Sequence, residues 1–166
     1  MKTLKLSLVA AALLLAAPRA QAGSASSQFN VTATVIQNCT ISASALAFGS
    51  YDPVVANAGS GQNLDTTSTL TVACTKGAQA VTIGLDQGTS TNRTMADTAS
   101  GGALTYQLYS DSNRTTVWGN TAGSTVGYAP LSRNSIGITV YGRVPGGQDV
   151  PVGTGYLDKV TATINF

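Results

Sequence analysis

Two cysteines, Cys39 and Cys74, and seven aspartates are the residues through which this chain could do chemistry, because it contains no histidine and no glutamate. Without an imidazole there is no Ser–His–Asp or Cys–His nucleophile and no histidine-ligated zinc or iron. Only a pair of aspartates could serve as general acid and base. They are scattered through turn-like contexts such as "SYDP", "LDQG" and "YSDSN", where aspartate commonly hydrogen-bonds its own backbone. "SDSNRTT" carries Asp111 and Asn113 but lacks the glycine and closing glutamate of an EF-hand loop. No Gly-x-Gly-x-x-Gly or Walker-type loop joins a strand to a helix. The residues therefore point to no catalytic site, no metal site and no cofactor. Trp118 with Tyr106, Tyr109 and Tyr128 could line a sugar-binding surface or fill a core.

The elements that would position these groups begin after an export leader. Lys2 and Lys5 precede an apolar run from Leu6 to Ala17, Pro18 breaks it, and Ala20-Gln21-Ala22 reads as a cleavage site. The run is too short for a permanent membrane span, and no direct membrane insertion is expected. Cleavage after Ala22 leaves Gly23–Phe166, 144 of the 166 residues, one domain's worth of chain. Six basic residues remain (Lys76, Arg93, Arg114, Arg133, Arg143, Lys159) against seven aspartates, a net charge of −1. That balance offers no basic patch for nucleic acid and little resistance to self-association. In an exported chain, two cysteines 35 positions apart favour a Cys39–Cys74 disulfide over a reactive thiol or a metal site.

Gly, Ser, Thr, Asn and Val dominate, and no long segment carries a 3.6-residue apolar stripe with caps. Strand-like runs are expected at Phe29–Ile36, Thr40–Phe48, Ser68–Thr75, Ala80–Leu85, Leu104–Ser110, Ser135–Arg143 and Leu157–Phe166. Weaker ones fall at Thr115–Trp118 and near Tyr128–Leu131. Long turn-rich connections separate them, and the tripeptide Asn-Arg-Thr occurs twice, at 92–94 and 113–115, as if at hairpin ends. The pattern is that of an all-β sandwich. Its first run poses a question. Phe29, Val31, Ala33 and Val35 alternate with polar residues just ahead of Cys39, so this is either the domain's own first strand or an apolar face meant for another molecule.

Taken in order, "FNVTATVIQNCTISASALAFGSYD", "TLTVACTKG", "VTIGLDQG", "NRTM", "LTYQLYSDSNRTTVWG", "GITVYGRV" and "GTGYLDKVTATINF" resemble the spore coat U domain family, including the Csu-type pilins of archaic chaperone–usher pili. The resemblance runs from about Phe29 to Phe166. It implies an immunoglobulin-like β-sandwich that is incomplete, missing its last strand, and so divides the chain into a leader (1–22), an N-terminal donor-strand extension (23–37) and a sandwich domain (38–166). It further implies that a periplasmic chaperone fills the open groove first. At an outer-membrane usher, the extension of another copy or a related pilin then replaces it. Phe29, Val31, Ala33 and Val35 would be the donor residues. Val160, Ala162, Ile164 and Phe166 alternate with Thr161, Thr163 and Asn165, and by resemblance that last strand borders the groove and pairs with chaperone or donor. The expected protein is a non-enzymatic pilus subunit that serves adhesion and biofilm formation, exported through the periplasm to the cell surface. The alternatives are a secreted coat protein of the same family or a carbohydrate-binding module using Trp118.

Overall fold

The computed structural model describes residues 21–166, so the expected leader lies, but for its last two residues, outside the described part. The chain divides into two units, Met1–Thr34 and Val35–Phe166. In the first, residues 21–34 form no strand or helix and their side chains are exposed. The expected strand at Phe29–Ile36 is therefore corrected: alternation marks an apolar face, but a strand also needs a partner for its backbone.

The second unit is all β. Its strands are β1 (Cys39–Ala43), β2 (Leu64–Cys74), β3 (Thr82–Leu85), β4 (Thr94–Asp97), β5 (Gly102–Thr105), β6 (Gln107–Tyr109), β7 (Val126–Gly127), β8 (Ile136–Val144) and β9 (Ala162–Asn165). One sheet has the order β1-β2-β8-β6, a second β7-β3-β9, and β4 and β5 form a hairpin; all pairings are antiparallel. β2 sets the frame because its even-numbered positions turn inward, ending in the buried Leu70, Val72 and Cys74. β8 answers with Val140 and Val144 across the register Ser68↔Val140 and Leu64↔Val144. Ile83 and Leu85 of β3 face them from the second sheet.

Trp118 fills the centre of this core with no exposed surface, and its Nε1 donates to the Ile83 carbonyl at 2.8 Å. Buried in this way it forms no sugar-binding platform. The expected strand Leu104–Ser110 is two: β5 pairs with β4, the chain turns at the buried Tyr106, and β6 pairs with β8. Both Asn-Arg-Thr tripeptides place their arginine at a left-handed φ of 56°. Each arginine then reaches inward to cap backbone carbonyls. Arg93 Nη2 donates to the Leu85 and Trp118 carbonyls, and Arg114 donates to those of Gly142 and Thr66 while pairing with Asp65.

Cys39 and Cys74 are disulfide-bonded, and they stand directly opposite each other in the β1–β2 ladder with Cα atoms 4.1 Å apart. The flanking ladder bonds fall at Asn38–Thr75 and Ser44–Thr69. Even-numbered β1 residues thus bond to β2, and Cys39 occupies a non-hydrogen-bonded position, where opposite side chains come closest. Closing a 35-residue loop contributes about 4 kcal/mol by the chain-entropy argument. Replacing both cysteines by serine should lower unfolding free energy by a comparable amount, read by denaturant titration. An unchanged midpoint would show that the bridge adds no stability.

Candidate functional site

The candidate site is the seam between β1 and β9. β1 closes one side of its sheet and β9 one side of the other, and among the described residues neither has a partner beyond. In β1 the alternation just given turns the backbone groups of Cys39, Ile41 and Ala43 away from β2. In β9 the Thr161 carbonyl accepts from Asp86 N at 3.1 Å, while Leu85, opposite Ala162, donates its N–H elsewhere, to Gly119. The same alternation therefore leaves the N–H and C=O of Ala162 and Ile164 unpaired at the open edge. The two free edges lie close together, and the opening is beyond them, between residues 43–48 and 156–162.

In that opening lies an apolar cleft of about 530 Å³. Leu70, Leu85, Leu108 and Val140 form its floor, Leu46 and Phe48 one wall, and Tyr156, Val160 and Ala162 the other. The first wall exists because β1 ends early. After Ser44 the ladder stops, and hydroxyls on β2 take over: Ser68 Oγ donates to the carbonyls of Ser44 and Ala45, and Thr66 Oγ1 to that of Ala47. Held off by a side-chain length, residues 44–48 lean out and drop Leu46 and Phe48 inward, the latter 6.1 Å from the Tyr106 ring.

The opposite wall is fastened by two aspartates. Asp158 accepts from the Tyr106 hydroxyl at 2.8 Å, from Thr89 N at 2.8 Å and from Ser90 Oγ at 3.2 Å. Asp86 accepts from Thr161 N at 2.9 Å and Gly88 N at 2.9 Å. Leu157 exchanges both backbone bonds with Ala96 of β4. Burial opposes ionisation of Asp158, but the Tyr106 hydroxyl and the surrounding N–H groups outweigh it and hold its pKa below the usual carboxylate value; Asp86 is lowered against burial by its bonds to Thr161 and Gly88. Burial, then the bond to Asp158, raises the Tyr106 hydroxyl, so it stays protonated and donating. Arg93, only 1% exposed, lies under this region, and its Nε and Nη1 find no partner among the described residues.

Of the C-terminal residues singled out from sequence, Val160 and Ala162 line the cleft, and Ile164 packs on the cluster of Cys74, Ala78 and Val81 beside the disulfide. Phe166 is half exposed at the chain end. β9 is shorter than expected because residues 157–161 serve the anchors instead. Phe29, Val31 and Val35 are 83–85% exposed and Ala33 is exposed too; the first three of the four N-terminal positions fall in the first unit and Val35 begins the second. Sequence reasoning missed Leu46, Phe48, Tyr156 and the Asp86–Asp158 anchors. The "ALAF" alternation could have suggested the wall, whereas the aspartates read only as turn formers.

Among the described residues no group of three or more metal-ligating side chains gathers, and no helix is long and apolar enough to cross a membrane. Cleft, edges and topology define an immunoglobulin-like sandwich with one open seam. The chain belongs to the Spore Coat Protein U domain family, which it matches over residues 25–163. It is 42% identical to Protein U of Myxococcus xanthus, over 99% of this chain and 98% of that protein. Its fold is similar, at 19% identity and a TM-score of 0.56, to a chain in the crystal structure of the CsuC–CsuE chaperone–tip adhesion subunit pre-assembly complex from archaic chaperone-usher Csu pili of Acinetobacter baumannii. That match covers 80% of this chain and 41% of the other, so the present chain spans less than half the length of its structural relative.

The anchors yield a prediction with a definite sign. Because the folded pKa values of Asp158 and Asp86 lie below the unfolded one, their contribution is complete above about pH 4 and is lost as pH falls through the depressed folded values. Asp158→Ala should cost about 1–3 kcal/mol near neutrality, since it strands the Tyr106 hydroxyl. It should also flatten the acid limb of the stability–pH curve, measured by urea unfolding between pH 2 and 7. An acid limb as steep as wild type would remove Asp158 from that role.

Proposed function

We propose that this chain is a structural subunit of a chaperone–usher pilus, one strand short by design, polymerising by donor-strand exchange. The observation that carries the reading is the pair of unpaired edges beside an open apolar cleft. An added strand offers its backbone to a free ladder and its alternate side chains to the cleft floor. Left bare, the same edges invite uncontrolled pairing, which gives a periplasmic chaperone its task and an outer-membrane usher the place to exchange it. The donor is the segment around Phe29, Val31, Ala33 and Val35 of a neighbouring copy or related pilin. Covering Phe29, Val31 and Val35 gains roughly 1.5–3 kcal/mol each, enough to drive joining without nucleotide or cofactor. Val160, Ala162 and Ile164 supply the receiving edge, with the half-exposed Phe166 beside it. The role is architectural, not enzymatic, at the cell surface in adhesion and biofilm formation.

A coat function is the second reading, favoured by the 42% identity to Protein U over nearly the whole of both chains. It would use the same exchange without requiring a long fibre. A carbohydrate-binding module loses its main support with Trp118 buried.

Val31→Asp places a charge where the exchange needs an apolar side chain. Co-expressed with its chaperone, the variant should still be recovered as a one-to-one complex, but should give no SDS-resistant multimers after release. Multimers at wild-type yield would overturn donor-strand exchange, and loss of the chaperone complex as well would assign residues 29–35 to the subunit's own core.

A further inference from the structure

The two ends of the sandwich carry opposite charge. At the end holding the disulfide, Lys76 and Arg133 are exposed and both border a concavity of about 710 Å³ lined also by Asn38, Thr40, Cys74 and Leu131. No aspartate borders it. Residues 75–81 and 128–135, which lie at that end, contain no aspartate either.

At the far end, where Leu64 meets Val144, residues 44–63 and 145–157 contain Asp52 and Asp149 and no lysine or arginine. These two loops are tied together: Gly147 N donates to the Asn57 carbonyl at 2.7 Å, and Gln148 N to the Tyr51 hydroxyl at 2.8 Å. Asp149 is exposed; Asp52 is half-buried and held ionised chiefly by the N–H groups of Val54 and Val55. The remaining aspartates are engaged otherwise. Asp65 pairs with Arg143 and Arg114, Asp97 is buried among backbone donors, Asp111 caps its own turn, and Asp86 and Asp158 anchor the cleft wall.

We propose that successive copies meet end to end, Lys76 and Arg133 of one against Asp52 and Asp149 of the next. This rests on the donor-strand reading and goes beyond it. From Val35 to Asn38 is three residues, about 10 Å of extended chain. A neighbour whose residues 29–35 occupy the cleft must therefore bring its own Lys76 and Arg133 close to whichever end the donor leaves. Leaving by the disulfide end sets Lys76 and Arg133 against their own counterparts, a like-charge meeting. Leaving by the loop end sets them against Asp52 and Asp149. The second arrangement is attractive and heterologous, and so propagates in one direction without closing on itself. At this range the attraction acts on encounter and orientation and is strongly salt-dependent.

The test is the rate of multimer formation by the full mature chain after release from its chaperone, at about 20 mM and about 1 M salt, where the screening length differs severalfold. Lys76→Glu with Arg133→Glu should slow joining about tenfold at low salt and leave it near wild type at high salt. Adding Asp52→Lys and Asp149→Lys should restore the low-salt rate. Lys76→Glu, Arg133→Glu and Asp149→Lys, all at exposed positions, should leave the thermal midpoint within a degree or two of wild type; Asp52→Lys also removes the acceptor of the Val54 and Val55 N–H groups, so the fourfold variant is assayed well below its own, lower midpoint. A wild-type rate for the doubly reversed variant at low salt, or no recovery in the fourfold variant, overturns the end-to-end contact. Val31→Asp should stop joining at both salt concentrations; if it does not, the donor-strand reading fails whatever the charges do.

Discussion

An unpaired backbone edge beside an apolar cleft is the constraint from which the rest of this structure follows. A strand edge exposes a row of donors and acceptors that pair readily with any extended chain, and the molecule shields its other edges. β6 is covered by the bridge from Tyr109 to Val117, β7 is only two residues long, and the β5 side of the hairpin is capped by Gln148 on Thr105. Among the described residues, only β1 and β9 set two unpaired edges side by side, next to a cleft whose floor belongs to the main core. A sandwich that blunts its edges elsewhere and leaves this seam open suits the occupant proposed above, extended and apolar on one face.

The seam stays open because its walls are built by polar chemistry. Serine and threonine hydroxyls on β2 hold residues 44–48 away from the ladder on one side. Asp86 and Asp158 hold residues 157–161 on the other. Neither wall depends on an occupant for its hydrogen bonds, so the cleft is formed before anything enters it. A ready-made groove spares an incoming strand the cost of ordering its receptor. Arg93 and Arg114 do similar work deeper in, each using a left-handed backbone to turn a long cationic side chain onto carbonyls that the sheets leave free.

Local pattern made much of this legible. β2 and β8 alternate strictly, and their strands fall close to where period-2 reasoning puts them; the two cysteines pair as an exported chain implies. Local pattern fails where the partner decides. Phe29–Ile36 alternates as cleanly as β2 yet forms no strand in this structure, because periodicity reports a face and says nothing about what covers it. Leu104–Ser110 reads as one strand and is split at Tyr106 by a change of sheet. β4 was hidden in a turn-rich stretch, since "TMAD" is too short for a period to declare itself. Aspartate was readable as a turn former at Asp52, Asp97 and Asp111, whose acceptor bonds stay mainly within five residues. Asp86 and Asp158 also bond across 52 to 75 positions, a reach no local rule contains.

The disulfide's place has a mechanical meaning. Cys39 is the first residue of β1 and stands next to the segment by which a copy would hold on to its neighbour, while Cys74 ends β2, the longest strand and a central one in its sheet. A pull arriving along residues 23–38 would otherwise strip β1 from its edge one hydrogen bond at a time, like a zip. With the covalent link at that first position, the load passes straight into β2 and is shared by the ladders on both its sides. If copies join as proposed, the weakest line in a fibre under tension would lie at the non-covalent joints between units, and each unit would outlast the chain it helps to form.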